Sequence, residues 1–295
     1  MIEIIDSTRL KDSLRCLRLY YWRHERGFVP AQPRLPLVYG SAIHACLAKH
    51  YENQPAGVCL AAFEEIWSTE VLPHQMTTLE AEDPKRNPLI WAEIFMLYKR
   101  HYHVEPFTVR TVETPFLLPL TNDLALGGVI DMVIEYLGQT MIVDHKTTSY
   151  LNYKWFSSFN PNHQFSAYLL AANELINPIN PITTMMVNCI LVSKAVLTPE
   201  KMFDRPYTTR TPNQLAAFKE NIIAWWQVVR ACRQANAWPQ NTESCSAYNG
   251  CEYHDLCIDV MYDYRQLIPS RAAYRHQIWN PIENLEKHGL KEATK

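Results

Sequence analysis

The stretch GGVIDMVIEYLGQTMIVDHKTT, residues 127–148, decides the fold. Two runs rich in β-branched and apolar residues, 124–136 and 139–146, flank Leu137-Gly138, as in a β-hairpin. With Leu137-Gly138 as a two-residue loop, Tyr136 pairs with Gln139 and Asp131 falls opposite Asp144, their Cβ atoms about 5 Å apart. A loop at Gly138-Gln139 keeps both carboxylates on one face, one diagonal step apart; a three-residue loop separates them. Side chains alternate along a strand, so Ile142, Asp144 and Lys146 share a face, as do Val129, Asp131 and Val133. Facing carboxylates repel unless a cation or a proton intervenes. Hard oxygen ligands suit Mg²⁺ or Mn²⁺, and Lys146 beside them can stabilise phosphate charge or help deprotonate water. The competing reading is a solvated strand face with ordinary charges.

Outward from the hairpin, the spacing predicts helices on the N-terminal side. Ser7 caps a first one with Leu10, Leu14, Leu17 and Tyr21 on one stripe, ended by Gly27. A connector with Pro30, Pro33 and Pro36 leads to an Ala-rich helix over 40–52, closed at Pro55. Two more helices are predicted over 59–72 and 89–103, with a polar loop at Asp83-Pro84 between them. A strand over 109–118 precedes the hairpin; a helix over 161–175, a strand over 183–192 and a long helix over 212–237 follow it.

The chain has 295 residues, 47% hydrophobic and 20% charged, with a formal net charge of −2, so it carries no global basic field and any contact with nucleic acid needs a local patch. Arg15, Arg18, Arg23 and Arg26, interleaved with Tyr20, Tyr21 and Trp22, offer either such a patch or a solvated helix face. No run of about 18 apolar residues is present, and Met1–Asp6 lacks a secretory start, so a cytoplasmic location without membrane attachment is expected. Eight cysteines without an export signal point to reduced thiols or metal ligands. Cys245, Cys251 and Cys257 share one loop with Asn249 and Gly250. Four thiolates hold an iron–sulfur cluster or zinc, and Cys16 is the best candidate for the fourth. Cys46, Cys59, Cys189 and Cys232 lie in apolar patterns and suit core packing.

Gly128-Val129-Ile130-Asp131 followed by Ile142-Val143-Asp144-His145-Lys146-Thr147-Thr148 resembles the central motif of RecB-like members of the PD-(D/E)XK nuclease superfamily. The resemblance implies that Asp131 and Asp144 ligate a metal, that Lys146 is catalytic, and that the His145 carbonyl completes the metal shell. Gly40-Ser41-Ala42-Ile43-His44 is similar to the upstream motif whose histidine is a further ligand. Gln164-Phe165-Ser166-Ala167-Tyr168 resembles the motif that positions the lysine and touches the nucleic-acid backbone; i and i+4 on a helix are neighbours. Glu113 stands where the family often has an acidic strand residue, as second-tier support or an ordinary exposed charge. Cys16 with the C-terminal trio resembles the iron–sulfur subset, including AddB-type, CRISPR-associated and phage nucleases, although many relatives have C-x2-C where this chain has C-x5-C. A 4Fe-4S cluster is expected, with zinc as the alternative.

These readings give an α/β fold: a restriction-endonuclease-like core with a mixed sheet of four or five strands flanked by helices, and a Cys-ligated cluster joining the N- and C-terminal segments. A single domain is expected over 1–295, with a helical insertion at 53–105, a catalytic core at 106–195, and a C-terminal helix and Cys-rich loop at 211–258. The expected function is a Mg²⁺- or Mn²⁺-dependent deoxyribonuclease, an exonuclease in DNA processing, recombination or repair. By the resemblance it leaves 5′-phosphate and 3′-hydroxyl ends, acts on free-ended or single-stranded DNA, and works beside a helicase or recombination partner, since no G-x-x-x-x-G-K-[ST] motif is present. The rivals are a catalytically silent DNA-binding or assembly subunit and a zinc-stabilised interaction protein.

Overall fold

The computed structural model describes residues 2–32, 34–71, 83–177, 179–247, 250–259 and 261–290. Met1, Pro33, Leu72 and Asn249, each part of an expectation above, lie outside them. Strand β1 (Glu3–Ile5) leads to Asp6, whose carboxylate accepts the Arg9 N–H at 2.8 Å and caps α1 (Ser7–Arg15). Asp6, not Ser7, is therefore the cap. The helix does not run on to Tyr21 either. It breaks at Cys16, whose backbone is extended (φ −166°, ψ 122°), before α2 (Leu17–Tyr20) and a π-turn over Tyr21–Glu25.

After β2 (Phe28–Pro30), helix α3 (Leu35–Tyr51) starts earlier than Gly40, because a proline in the first turn costs no hydrogen bond. Helices α4 (Ala56–Val71) and α5 (Pro88–His101) pack with α3 over one side of the sheet. Strands β3 (Thr108–Thr121), β4 (Leu124–Tyr136) and β5 (Gln139–Thr148) form the meander. Next come α6 (Tyr153–Ser157), which the sequence did not signal, and α7 (His163–Ala171), capped by Asn162 two residues after the expected start. Then follow β6 (Thr184–Leu191), α8 (Pro199–Met202), β7 (Phe203–Asp204), β8 (Tyr207–Thr209) and α9 (Pro212–Ala235), the last opened by a Thr211/Gln214 capping box. Helix α10 (His254–Ile258), strand β9 (Tyr274–His276) and helix α11 (Pro281–Lys287) complete the described chain.

Among the described residues the sheet has seven strands rather than four or five, because β1, β7 and β8 are two or three residues long and carry no periodic signal. It is mixed: β4 runs antiparallel to β3 and β5 and parallel to β1, and β5 runs parallel to β6. This is a restriction-endonuclease-like α/β arrangement, with helices on both faces.

The hairpin register is the one expected. Tyr136 pairs with Gln139 across Leu137 (φ 51°) and Gly138 (φ 75°), the two positive φ angles of a type I′ turn. The ladder between β4 and β5 nevertheless stops at Met132↔Val143, one pair before Asp131 and Asp144. Along that edge β1 pairs only with Leu124–Leu126, so residues 127–131 have no strand beside them. The sheet forks there.

A second irregularity coincides with the fork. On β4, Leu124, Leu126 and Ile130 point into the core beneath α1, α7 and α9, whereas Met132 and Ile134, of the same parity, point into the core beneath α3, α4 and α5. On β3, Phe116 and Leu118 face the first core and Val112 the second. Strict alternation would hold one parity on one face. The inversion falls at Glu113, whose backbone is left-handed (φ 48°), a conformation costly for a residue with a Cβ.

Gly128 is demanded by close approach, since a Cβ there would stand 2.7 Å from Cζ of Phe116 and 3.4 Å from Cε1 of Tyr168. Gly40 differs: a Cβ would meet only Thr147 Oγ1, at an ordinary 3.6 Å. Gly128→Ala should therefore lower unfolding free energy by about 1–3 kcal/mol through overpacking. Gly40→Ala, inside a helix, should leave it unchanged or raise it by up to about 1 kcal/mol. Urea midpoints of the two variants check the opposite signs.

Candidate active site

Three carboxylates stand side by side at the fork. Val112↔Met132 and Thr114↔Ile130 bracket Glu113 and Asp131, and one step past Met132↔Val143 lies Asp144. β3, β4 and β5 thus each contribute one acid to a single row. Asp131 Oδ2 accepts the backbone N–H of His145 at 2.7 Å, so the side chain replaces the ladder bond that the fork removes. Its neighbour on the other side is His44 of α3, with Nδ1 3.4 Å from Oδ2. Among the described residues, His44, Glu113 and Asp131 form the group whose ligand atoms all lie within 4.8 Å of one another.

Asp144 is fully buried and held differently. Lys146 forms an ion pair with Oδ2, and Gln164 Nε2 on α7 donates to Oδ1 at 3.3 Å and to the Tyr168 hydroxyl at 3.0 Å. Helix α3 thus reaches one carboxylate from one face of the sheet, and α7 reaches the other from the opposite face.

The protonation pattern follows from crowding. Burial opposes charge on every group here, so the balance depends on neighbours. Burial and then the Asp131 charge push the Glu113 carboxyl up to about 7. Burial raises Asp144 to about 6, even against the pull of Lys146. Burial works against charge on His44, but Asp131 outweighs it and lifts the imidazole to about 9. Asp131 is desolvated too, yet His44 holds it well below the usual carboxylate range. Without a cation, the row keeps one firm negative charge and shares protons over the rest. Two hard carboxylates and a borderline imidazole form a donor set compatible with a divalent cation, Mn²⁺ or Mg²⁺ among them, and an entering ion would displace protons from His44 and Glu113.

His145 carries the site from behind. Its buried ring accepts at Nδ1 from Asn188 Nδ2, 2.9 Å away, and stacks on Tyr51 at 5.7 Å and 8°. The ring is neutral, since burial drives its pKa down to about 3. Asn188 also donates to Tyr98 at 2.9 Å and accepts from Arg205 Nε at 3.1 Å, which fixes the orientation of its amide. Arg205 in turn grips both oxygens of Glu105 at 2.6 and 2.8 Å, donates to Tyr51 and Tyr98, and lies over the Tyr102 ring at 3.4 Å. Helices α3 and α5 are thereby bonded to β6 and, through His145, to β5.

A cleft of about 1380 Å³ opens beside the row at His44 and Glu113, lined by charges of both signs: Lys49, Arg86 and Lys287 with Glu52 and Glu65, Lys49 being paired with Glu52 and Arg86 with Asp83. His288 Nε2, just past α11, lies 3.5 Å from Glu113. Sequence reasoning gave Glu113 a supporting place and missed Arg205, Asn188, Lys287 and His288, because none belongs to a short motif. A third acid in register with the first two was the available signal for Glu113.

The N-terminal arginines are engaged mainly within the chain rather than spread on a solvated helix face. Arg15 donates to Ser244 O and Ala247 O, Arg18 to Trp238 O, Arg23 to Asp12 and Glu252, and Arg26 to Arg265 O and Leu267 O. They join the first helices to the C-terminal segment. Cys16 sits in that seam, its Sγ 3.3 Å from the Asn241 N–H, and burial with the Cys16 and Cys245 thiols alongside raises the Cys257 thiol. Cys16, Cys245, Cys251 and Cys257 are half-buried, whereas Cys46, Cys59, Cys189 and Cys232 are buried in the core as expected. Among the described residues no helix is long and apolar enough to cross a membrane.

Asn188→Leu would leave His145, Tyr98 and Arg205 with lost partners in a dry interior. A loss of about 3 kcal/mol in unfolding free energy is expected. Lys219→Ala, which breaks a surface pair with Glu174, should cost no more than about 1 kcal/mol. Denaturant titration of the two variants measures the contrast.

No curated protein matches the chain. Among solved structures, LHK-Exo in complex with dAMP aligns over 68% of this chain and 98% of its own, at 11% identity and a TM-score of 0.31. SSO0001 aligns over 64% and 74%, at 11% identity and 0.28. Likenesses that distant carry no argument about activity. The decisive match is to the family described as the PD-(D/E)XK nuclease superfamily, over residues 7–258. Spanning the carboxylate row, His44, Lys146 and the seam at Cys16, that match makes the chain a member of the PD-(D/E)XK nuclease superfamily.

Proposed function

We propose that the protein is a Mg²⁺- or Mn²⁺-dependent deoxyribonuclease that trims DNA from its ends. The observation that carries this reading is the row Glu113, Asp131 and Asp144, flanked by His44 and Lys146 and beside an open cleft. His44, Glu113, Asp131 and Asp144, with the His145 carbonyl, would hold the ion. When bound, it would lower the pKa of water and polarise a phosphodiester.

The chain's own groups divide the remaining work. Gln164, braced by Tyr168, fixes one oxygen of Asp144 and leaves Lys146 to move between that carboxylate and a phosphate oxygen. A lysine so placed acts on charge that develops during the reaction, so it contributes chiefly to the transition state. Free-ended DNA is the proposed substrate, and the DNA-processing role rests on family membership.

Asp131→Ala and Asp144→Ala should abolish Mg²⁺- or Mn²⁺-dependent cleavage while keeping the fold, because removing a carboxylate relieves repulsion. Lys146→Ala should keep DNA affinity within about tenfold, roughly 1.4 kcal/mol, yet lose most turnover. End-labelled linear DNA should be degraded and closed circular DNA spared. Full activity of both aspartate variants would overturn the assignment, and equal digestion of circles would overturn the exonuclease mode.

We further propose that Cys16, Cys245, Cys251 and Cys257 hold an iron–sulfur cluster that reinforces the seam. Metal binding adds its free energy to folding and closes a very long loop. Anaerobically purified protein should be brown, with iron and sulfide in similar amounts. Serine at any of these four positions should bleach it and lower its Tm, whereas serine at Cys46, Cys59, Cys189 or Cys232 should leave the colour. A colourless protein with one zinc would replace the cluster but keep the staple.

A further inference from the structure

A second cavity, of about 280 Å³, lies against the N-terminal half of α3 and shares Leu37 with the catalytic cleft. Three arginines, Arg23, Arg34 and Arg275, line it, and no carboxylate does among the described residues. Asp12 and Glu252, which bond Arg23 and Arg34, stand behind that wall rather than on it. Apart from the Thr8 hydroxyl and the His24 ring, which Asp12 meets at 2.9 Å, the remaining surface is apolar or amide-bearing. Leu37 is 66% exposed and Trp279 38% exposed, and Gln32 and Gln277 add donors and acceptors.

Guanidinium groups recognise phosphate, a flat aromatic and an exposed aliphatic side chain receive a base, and side-chain amides read its edge. At the small end of ligand sites, the cavity admits one base with its phosphate. We infer that it is a remote subsite for a nucleotide of single-stranded DNA whose scissile bond lies in the catalytic cleft. The inference rests on the nuclease reading and adds a track to it. From Arg34 to His44 is ten residues of α3, about 15 Å. At ~3.4 Å per stacked nucleotide that distance spans about four nucleotides. The strand would cross Leu37 on the way.

The test measures binding of fluorescein-labelled dT10 and dT3 by anisotropy, in EDTA, with the full chain. Arg34→Ala and Arg275→Ala are made singly and together; Glu252 keeps Arg23 in the first variant. Leu37→Asp places a negative charge on the shared rim without removing any hydrogen bond. For dT10 the double variant should weaken binding at least tenfold. Each arginine lost should also flatten the slope of log K against log salt by about 0.7, the value for one phosphate contact on a single strand. Leu37→Asp should weaken dT10 as well, and dT3, too short to span both sites, should change less than twofold. An unchanged dT10 slope, an equal loss for dT3, or no binding of dT10 by the parent protein overturns the subsite. If the parent protein binds dT10 with the arginine-dependent slope yet hydrolyses no DNA, the nuclease reading fails and the subsite stands. Hydrolysis with an unaltered slope gives the reverse.

Discussion

Repulsion among Glu113, Asp131 and Asp144 is the constraint to which the surrounding architecture answers. Three acids in one row of adjacent strands would each favour unfolding if left charged in a dry setting. The chain supplies relief from several directions at once: His44 from a helix on one face, Lys146 from the same strand, Gln164 from a helix on the other, and a backbone N–H from His145. Burial first, and the Asp131 charge after it, lifts Glu113 to about 7 and Asp144 to about 6, so protons take up what these contacts do not neutralise. The fork between β4 and β5 and the left-handed turn at Glu113 are the geometric side of the same problem. A regular ladder would crowd the acids in place with no room for another group between them.

Such irregularity has to be held open. Behind the site, the Arg205–Glu105 pair with Tyr51, Tyr98 and Asn188 forms a buried polar cage in which nearly every donor finds an acceptor. A network this close to satisfied, with the His145 Nε2 the exception, favours one arrangement, since a shift leaves further buried groups without partners. It also ties α5 to the site. Glu105 follows α5, Tyr98 lies within it, and Tyr51 ends the same helix that carries His44, so α5 and the residues after it brace that helix.

Much of this was legible in the sequence because it is local. The hairpin register followed from a two-residue loop ending in Gly138 between two β-rich runs, although Leu137 takes a positive φ that leucine disfavours, and the Gln164–Tyr168 contact followed from helical spacing. The break at Cys16 was hidden, because Leu17 and Tyr21 continue the apolar stripe across it. The inversion of strand faces at Glu113 was invisible to any argument from alternation, which assumes the regularity that fails there. Short strands such as β7 are created by the sheet they join. The environment of the four arginines was hidden for a related reason: a run of cations near aromatic residues looks the same whether it faces solvent or another part of the chain. Three of them are received by C-terminal carbonyls and Arg23 by Glu252 as well as nearby Asp12, and those C-terminal partners lie more than two hundred residues away.

That separation bears on how the protein is made. Arg23 meets Glu252 across 229 residues, and the first helices of the chain find their partners in almost its last described segment. At roughly 5–20 residues per second of synthesis, the amino-terminal helices wait on the order of ten seconds or more for their counterpart to emerge. Contacts of such long range are slow to form and late to reward the chain. Until then Tyr20, Tyr21 and Trp22, buried in the finished molecule, are apolar surface in search of cover. Truncation before residue 252 would therefore leave the first helices without the Glu252 contact that docks them.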